Sequence, residues 1–333
     1  MPDKQWYRPL DAGKQNMREL RLGLVGAGHW GQCYIKTLDK LPAAHLAALA
    51  SSNPRSQGLI NANCQLVEDW RALADIKPAL DGVIIATPTP QHFPIAQFML
   101  EANLPVLVEK PMTTSVDEAR KLHTAASVSG QLLMVGHTHL YSAAYEMLRS
   151  RASKLGRLVS IDAQAGGPGP YRPDTSPLWD WGVHDLALCL DLTEAIPSEV
   201  LAERLESANT SAGYSETIAI TLRFPQGEQA SIKVSNMMVD KCRRFTAEFE
   251  RGRLTYNDFA KDKLLLETAP GKTRPVQLDD GLPLTRQLLT FCSSIIEKRH
   301  NDPGLSLGVA VIETLARCEE KLAQTSAKGL SGT

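Results

Sequence analysis

Apolar residues are spaced in two different ways along this chain. From Arg21 to about residue 137, short apolar runs alternate with stretches of helical length. The runs are Leu22–Val25, His45–Ala50, Val83–Ala86, Pro105–Val108 and Leu132–Val135. Between them, helices are predicted over Trp30–Leu41, where Pro42 imposes a stop, and over residues 68–75, 90–103 and 115–130. Strands separated by helices of that length need crossover connections, and crossovers build a parallel sheet.

Beyond residue 137 the spacing changes. A helix at 142–151 leads into a strand at Arg157–Gln164. The segment GGPGPYRPDTSP (166–177) has the glycines and prolines of a loop, and Pro177–Leu192 follows as a helix. Strand-like runs then come without helices between them: Thr217–Phe224, Gln229–Ser235, Phe245–Glu250, Leu254–Asp258 and Lys263–Glu267. Consecutive strands indicate an α+β domain with an open, mostly antiparallel sheet. Helices at 283–299 and 306–323 close the chain. The expected division is a polar tail at 1–19, an α/β domain at 20–137 and an α+β domain at 138–333.

Composition narrows the class. A chain of 333 residues suits about two domains. The hydrophobic fraction is 43% and the charged fraction 22%, which excludes a disordered or fibrous chain. Lysine and arginine number 36 against 37 acidic residues, so no strong field draws nucleic acid or an anionic membrane. The apolar runs fall far short of the roughly 18 residues of a membrane span. The first twenty residues lack the apolar core of a secretory signal. Six cysteines, the nearest pair 26 apart, form neither a zinc set nor a disulfide framework. The expectation is a reduced, cytoplasmic protein with no structural metal, no nucleic-acid partner and no membrane partner.

The first strand ends in GLVGAGHWG, and Gly26, Gly28 and Gly31 match G-x-G-x-x-G. Gly26 permits a tight turn, Gly28 a close approach of a diphosphate, and Gly31 close packing of helix on strand. The helix start, at His29 and Trp30, then offers amide groups and a favourable dipole to the anion. An NAD site usually carries a carboxylate about 20 residues on for the ribose 2′-hydroxyl. None occurs between Asp39 and Glu68; the second strand runs instead into Ser51, Ser52, Asn53, Pro54 and Arg55. Small hydroxyl residues with an arginine nearby favour NADP over NAD, the alternative being Ser52 or Asn53 on the 2′-hydroxyl of NAD.

Three further motifs follow: ATPTPQH at 86–92 after the third clear strand, Glu109-Lys110-Pro111 after the fourth, and PLWDWGVHDLAL at 177–188. With the glycine loop, they resemble the glucose–fructose oxidoreductase / inositol dehydrogenase / MocA family over about residues 20–325. The resemblance implies an N-terminal Rossmann domain, an open-sheet C-terminal domain, a nicotinamide cofactor and a sugar, polyol or related hydroxyl substrate. It places the family lysine on Lys110, with a cis peptide at Pro111, and the family Asp-x-Gly-x-x-x-His on Asp180, Gly182 and His184. Many members carry another Asp three residues after the histidine. Here that position is Ala187, and Asp185 adjoins His184 instead.

These residues suit alcohol oxidation on chemical grounds. His184 can take and return a proton near neutral pH. Asp180, four residues earlier on the predicted helix, shares its face. Lys110 stands at the carboxyl end of a parallel strand and can stabilise alkoxide character. Thr87, Pro88, His92 and Glu109 are placed near the cofactor, with His92 equally able to cap the next helix. His139, Tyr171, Arg172 and Trp181 are candidates for substrate contact; a structural role is the alternative for each. An uncovered apolar sheet face would call for a homodimer or homotetramer. Two other functions stay open: a redox glycosidase of the same family that retains its NAD, and a non-enzymatic NAD(P)-binding sensor.

Overall fold

A computed structural model describes residues 18–171, 175–211, 213–299 and 303–330. The expected tail therefore lies outside the described residues except for Arg18 and Glu19. Arg18 is tied down, its guanidinium 2.6 and 3.1 Å from the two oxygens of Asp81. The chain forms two compact units. Residues 1–141 and 281–309 make the first, and residues 142–280 and 310–333 the second. Domain allocation thus differs from the sequence expectation, because residues 281–309 return to the first unit. Gly82 shows why: a Cβ there would lie 3.1 Å from Phe291 and 3.0 Å from Ile295. Periodicity identifies the apolar face of a helix, not the sheet it covers.

The first unit holds a six-stranded parallel sheet. Its strands are β1 (Leu20–Val25), β2 (Ala44–Ala50), β3 (Gln65–Val67), β4 (Gly82–Ile85), β5 (Val106–Glu109) and β6 (Leu133–Gly136). They lie in the order β3-β2-β1-β4-β5-β6. The three-residue β3 is too short to show as a run. Helices α1 (His29–Leu38), α2 (His92–Glu101) and α3 (Val116–Ser129) connect strands, while residues 70–75 form only a 3-10 turn. Strand order reverses between β1 and β4, which opens a crevice at the carboxyl ends of those strands. Leu22, Leu24, Leu49, Ile84 and Ile85 are wholly buried. Gly31 brings α1 against this core, since a Cβ there would stand 2.1 Å from the Gly26 carbonyl oxygen.

The second unit opens with α4 (Ala143–Ala152) and β7 (Leu158–Pro168). A π-helical turn at Leu178–Gly182 leads into α5 (Val183–Thr193). Then come β8 (Glu199–Thr210), β9 (Gly213–Arg223), β10 (Gln229–Ser235), β11 (Met237–Phe249), β12 (Gly252–Asn257), β13 (Leu264–Glu267) and β14 (Thr273–Pro275). The order is β14-β13-β12-β11-β7-β10-β9-β8, antiparallel apart from the β10–β7 pair. β8 was not legible because charged and apolar residues mix along it. The expected loop at 166–177 begins later than its glycines suggest. Gly166 is still paired in β7, where a Cβ would fall 2.0 Å from the Ser235 carbonyl oxygen. Helices α6 (Pro283–Ile296) and α7 (Pro303–Leu330) complete the chain. No helix among the described residues is long and apolar enough to cross a membrane.

One face of this sheet is apolar: Ile161, Ala163, Ala165, Ile220, Ile232, Val234, Phe245 and Ala247 are buried. The other corrects an expectation. The pleat turns Asp162, Ser231, Lys233 and Arg244 to that side, and all four are exposed. Arg244 reaches across to Asp162 at 3.3 Å. Leu201, in register with Thr221 and through it with Ser231, is exposed on the same side, so that face is mixed rather than purely apolar.

Asp191, at the end of α5, is fully buried. Its Oδ2 accepts from Tyr145 at 2.8 Å and faces Arg149 Nε at 3.3 Å. Burial is the largest influence and pushes its pKa up to about 6, against the opposing pull of Arg149. A raised carboxylate pKa stabilises the fold fully below about pH 4 and loses that contribution as pH rises through about 6. Two units correspond to about 3 kcal/mol at most. We expect the thermal midpoint of wild type to fall more between pH 4 and 7.5 than that of Asp191→Asn. Calorimetry at both pH values measures this; parallel profiles would refute it.

Candidate active site

The glycine turn is shaped by contacts that exclude side chains at two positions and leave room at the third. Gly26 has φ +97°, and a Cβ there would lie 2.6 Å from the Ala86 carbonyl oxygen. Gly31 is closed by Gly26, as described. At Gly28, the N-cap of α1, a Cβ meets nothing within 4 Å. No side chain caps α1, so its first amides are offered to an acceptor from outside the helix. His29 and Trp30 sit exposed on that first turn, their rings edge to face at 6.3 Å. This geometry fits a dinucleotide diphosphate.

The hook after β2 brings the expected ribose-site residues together. Ser51 Oγ lies 2.8 Å from Ser56 Oγ and accepts from the Asn53 amide at 3.3 Å. Asn53 Oδ1 accepts from the Arg55 amide at 3.0 Å, which caps a 3-10 turn at Pro54–Leu59. Ser52 and Arg55 project into solvent. Among the described residues Arg55 forms no ion pair, so its guanidinium remains available to an anionic group.

At the carboxyl ends of β4, β5 and β6 stand Thr87, Lys110 and His137. Thr87 Oγ1 is buried without a hydrogen-bond partner among the described residues. Pro88 beside it is exposed, and Lys110 is half-buried. The Lys110–Pro111 peptide is cis, as the resemblance implied. His137 is 3% exposed, and neither ring nitrogen has a partner among the described residues. Burial, and then the charge of Lys110, push its pKa down to about 4, so it is neutral at pH 7.

Two expectations for the cofactor pocket are corrected here. His92 is 1% exposed, with Nε2 2.8 Å from the Thr87 carbonyl oxygen and Nδ1 2.8 Å from that of Pro111. Its ring nitrogens are turned to these two carbonyls, between the β4 loop and the Lys110–Pro111 segment. Burial lowers its pKa. Glu109 turns inward, where its Oε1 accepts from the Tyr34 hydroxyl at 2.6 Å. Sequence reasoning missed Tyr34 and Gln287, which donates to the Tyr34 hydroxyl at 2.9 Å. Gln287 carried a signal. It interrupts the apolar stripe of Leu284, Leu288, Phe291 and Ile295 on α6, and a polar residue on a buried stripe needs a partner. His137 lies deeper than His139, the histidine singled out; His139 is half-buried.

In the second unit, Asp180 lies in the π turn and His184 in the first turn of α5. The expectation that a spacing of four stacks them on one α-helical face is corrected by that turn. Its wider bond, from the Val183 amide to the Leu178 carbonyl, shifts Asp180 off the α-helical register. His184 is 9% exposed and Asp180 half-buried. Asp185 is fully buried, and Arg243 donates to its Oδ1 at 3.2 Å. Burial raises the Asp185 pKa against the pull of Arg243. Asp185 is therefore committed to an internal ion pair. The Arg243 guanidinium also lies 5.6 Å from the Trp181 ring centroid, so Trp181 has a cation over its ring. Tyr171 is half-exposed and close to Gly213, where a Cβ would lie 2.9 Å from its own Cβ. Arg172 lies outside the described residues.

Known proteins carry the same two-part organisation. Residues 20–137 match the family model of an oxidoreductase family with an NAD-binding Rossmann fold, and residues 141–255 match the C-terminal domain model of that family. A crystal structure of an oxidoreductase from Magnetospirillum magnetotacticum MS-1 is 36% identical, covers 90% of this chain and 99% of its own, and superposes with a TM-score of 0.83. UDP-N-acetylglucosamine 3-dehydrogenase of Acidithiobacillus ferrooxidans is 28% identical over 90% of this chain and 95% of its own length. Inositol 2-dehydrogenase of Rhizobium meliloti is 24% identical over 77% of this chain and 81% of its own. With an anion-ready glycine turn, a lysine at the end of β5 and both family models matched in order, this chain is an NAD(P)-dependent oxidoreductase and belongs to the Gfo/Idh/MocA family.

Proposed function

We propose that the protein is an NADP-dependent dehydrogenase acting on a hydroxyl of a sugar, sugar derivative or polyol, with Lys110, His184 and Asp180 as its catalytic set. The observation that carries this is the placement of Lys110. It lies at the carboxyl end of β5, in the same unit as the uncapped start of α1 and next to the strand-order reversal, where open α/β sheets hold ligands. The full-length relatives named for sugar-nucleotide and inositol dehydrogenation support the substrate class.

The bound nicotinamide supplies the hydride acceptor. His184 removes the proton of the reacting hydroxyl and returns it in the opposite direction. The Lys110 ammonium holds that oxygen and stabilises the negative charge that develops on it. Asp180 orients the imidazole or a second hydroxyl. Gly28 and the amides of His29 and Trp30 would hold the diphosphate. Ser51, Ser52 and Arg55 would serve the ribose, where the absence of a carboxylate favours a 2′-phosphate.

A screen of sugars, sugar nucleotides and polyols, read by NADPH absorbance, identifies the substrate. Lys110→Ala and His184→Ala should each lower kcat by about 10²- to 10⁴-fold, with NADP(H) affinity by fluorescence titration nearly unchanged. Turnover like that of wild type in either variant would overturn the roles. kcat/KM should favour NADP+ over NAD+, and Arg55→Ala should erode the preference by about tenfold; a wild-type preference for NAD+ refutes the NADP assignment. Gly28→Ala should keep the thermal midpoint yet weaken cofactor binding. Gly31→Ala should cost about 1–3 kcal/mol of stability through overpacking. Equal melting behaviour of the two glycine variants would contradict the glycine geometry.

A further inference from the structure

Glu109 and Lys110 are neighbours, yet only Lys110 reaches the end of the sheet. Glu109 is 5% exposed and both its oxygens accept: Oε1 from the Tyr34 hydroxyl at 2.6 Å, Oε2 from the Lys110 amide at 3.3 Å. The donors continue outward. Gln287 Nε2 donates to the Tyr34 oxygen at 2.9 Å, and the Thr138 hydroxyl donates to Gln287 Oε1 at 2.8 Å. Each of these three bonds is donated in the direction of Glu109, and the Thr138 hydroxyl also lies 3.4 Å from the Gly136 carbonyl oxygen. Such a set suits an ionised carboxylate, which only accepts, better than a carboxylic acid, which must also donate.

A buried anion needs charge compensation. Several elements bring groups to this place. α1 brings Tyr34, α6 brings Gln287, α2 brings His92, and the turn after β6 brings His137, Thr138 and Tyr141. Burial lowers the pKa of both histidines, that of His137 to about 4. The cationic charge acting on Glu109 is that of Lys110. Burial pushes the Glu109 pKa up, and the Tyr34 bond is the largest influence against it, followed by Lys110. Removing Tyr34's hydroxyl therefore removes the main support of the ionised state.

Building on the dehydrogenase reading of Lys110, we propose that Glu109, braced by Tyr34 and Gln287, is a positioning residue whose buried negative charge fixes the Lys110 segment at the end of β5. Glu109 touches neither substrate nor cofactor in this role and acts through Lys110 alone. The relay also joins the helix that starts at the glycine turn to the strand that carries Lys110.

The test uses the full chain and two independent readouts. Competitive acetylation of Lys110 with trace acetic anhydride, followed across pH by mass spectrometry, reports its reactivity relative to the other lysines without any substrate. In Glu109→Gln the relative labelling of Lys110 should change by about tenfold, because the segment that carries it loses the charge that fixes it. Tyr34→Phe should lower kcat about tenfold near pH 6 and recover to within about twofold of wild type at pH 9, because the carboxylate regains its charge there. A lost hydroxyl with only a packing role would give a deficit independent of pH. If Glu109→Gln does not fold, Tyr34→Phe and the more distant Gln287→Met carry the test. An unmoved Lys110 labelling profile, or a pH-independent Tyr34→Phe deficit, overturns the proposal. Should wild type turn over no sugar or polyol while the Glu109→Gln labelling profile still shifts, the substrate assignment fails and the charge relay stands.

Discussion

The close approach of α1 to the first strand sets the geometry of the whole first unit. It depends on Gly31, where the helix backbone meets the Gly26 carbonyl with no space for a methyl group. That approach has two consequences on opposite faces of one helix. The exposed first turn presents uncapped amides to an anion. The buried face carries Tyr34 to Glu109, at the end of a strand two places away in the sheet. The helix whose start is proposed to receive the cofactor diphosphate thus also meets the strand bearing Lys110. Both functions follow from one close contact, because a rigid helix cannot move its N-terminus without moving its buried face.

Several buried polar groups next to the proposed catalytic residues are held by specific partners, while Thr87 Oγ1 and the His137 ring have none among the described residues. In the first unit His92 joins two loop carbonyls, and Glu109 collects two donors. In the second, Asp185 meets Arg243 directly after His184, and Arg243 also lies over Trp181. Buried pairs of this kind contribute little net stability, since desolvation offsets most of the attraction. Their effect is on position: loss of one partner leaves an uncompensated charge, so alternative placements of the neighbouring segment are strongly disfavoured. The π turn at Leu178–Gly182 belongs with them. It inserts an extra residue in the helix just before His184 and sets where Asp180 stands, a local irregularity of a kind often found at functional sites.

The second unit shows how a sheet with one helix-covered face can leave the other in water. Alternation places Ile161, Ala163 and Ala165 on the covered face of β7 and Asp162 on the other, with Arg244 answering Asp162 across the strand pair. Short polar and charged side chains satisfy the outer face without cover. Glycine serves a packing role here as well. Gly166 allows β7 to run past the Ser235 carbonyl, which extends the central strand into a segment whose composition reads as loop.

Much of this molecule is written in local patterns. The alternation of strands and helices, the later succession of strands, and the spacing of Gly26, Gly28 and Gly31 depend on neighbours within a few residues. So do the stretch without carboxylates after β2 and the placement of Lys110 just past a strand end. A reader of the sequence can therefore recover the two-part fold, the dinucleotide turn and the catalytic candidates. Partners far apart along the chain are another matter. Tyr34 meets Glu109 across 75 positions, and Gln287 meets Tyr34 across 253. Whether His92 faces a ligand or two carbonyls, and whether Asp185 is free or paired with Arg243, depends on which elements pack together. Only the tertiary structure decides those questions, because a side chain's role in the interior is set by the few atoms that replace water around it.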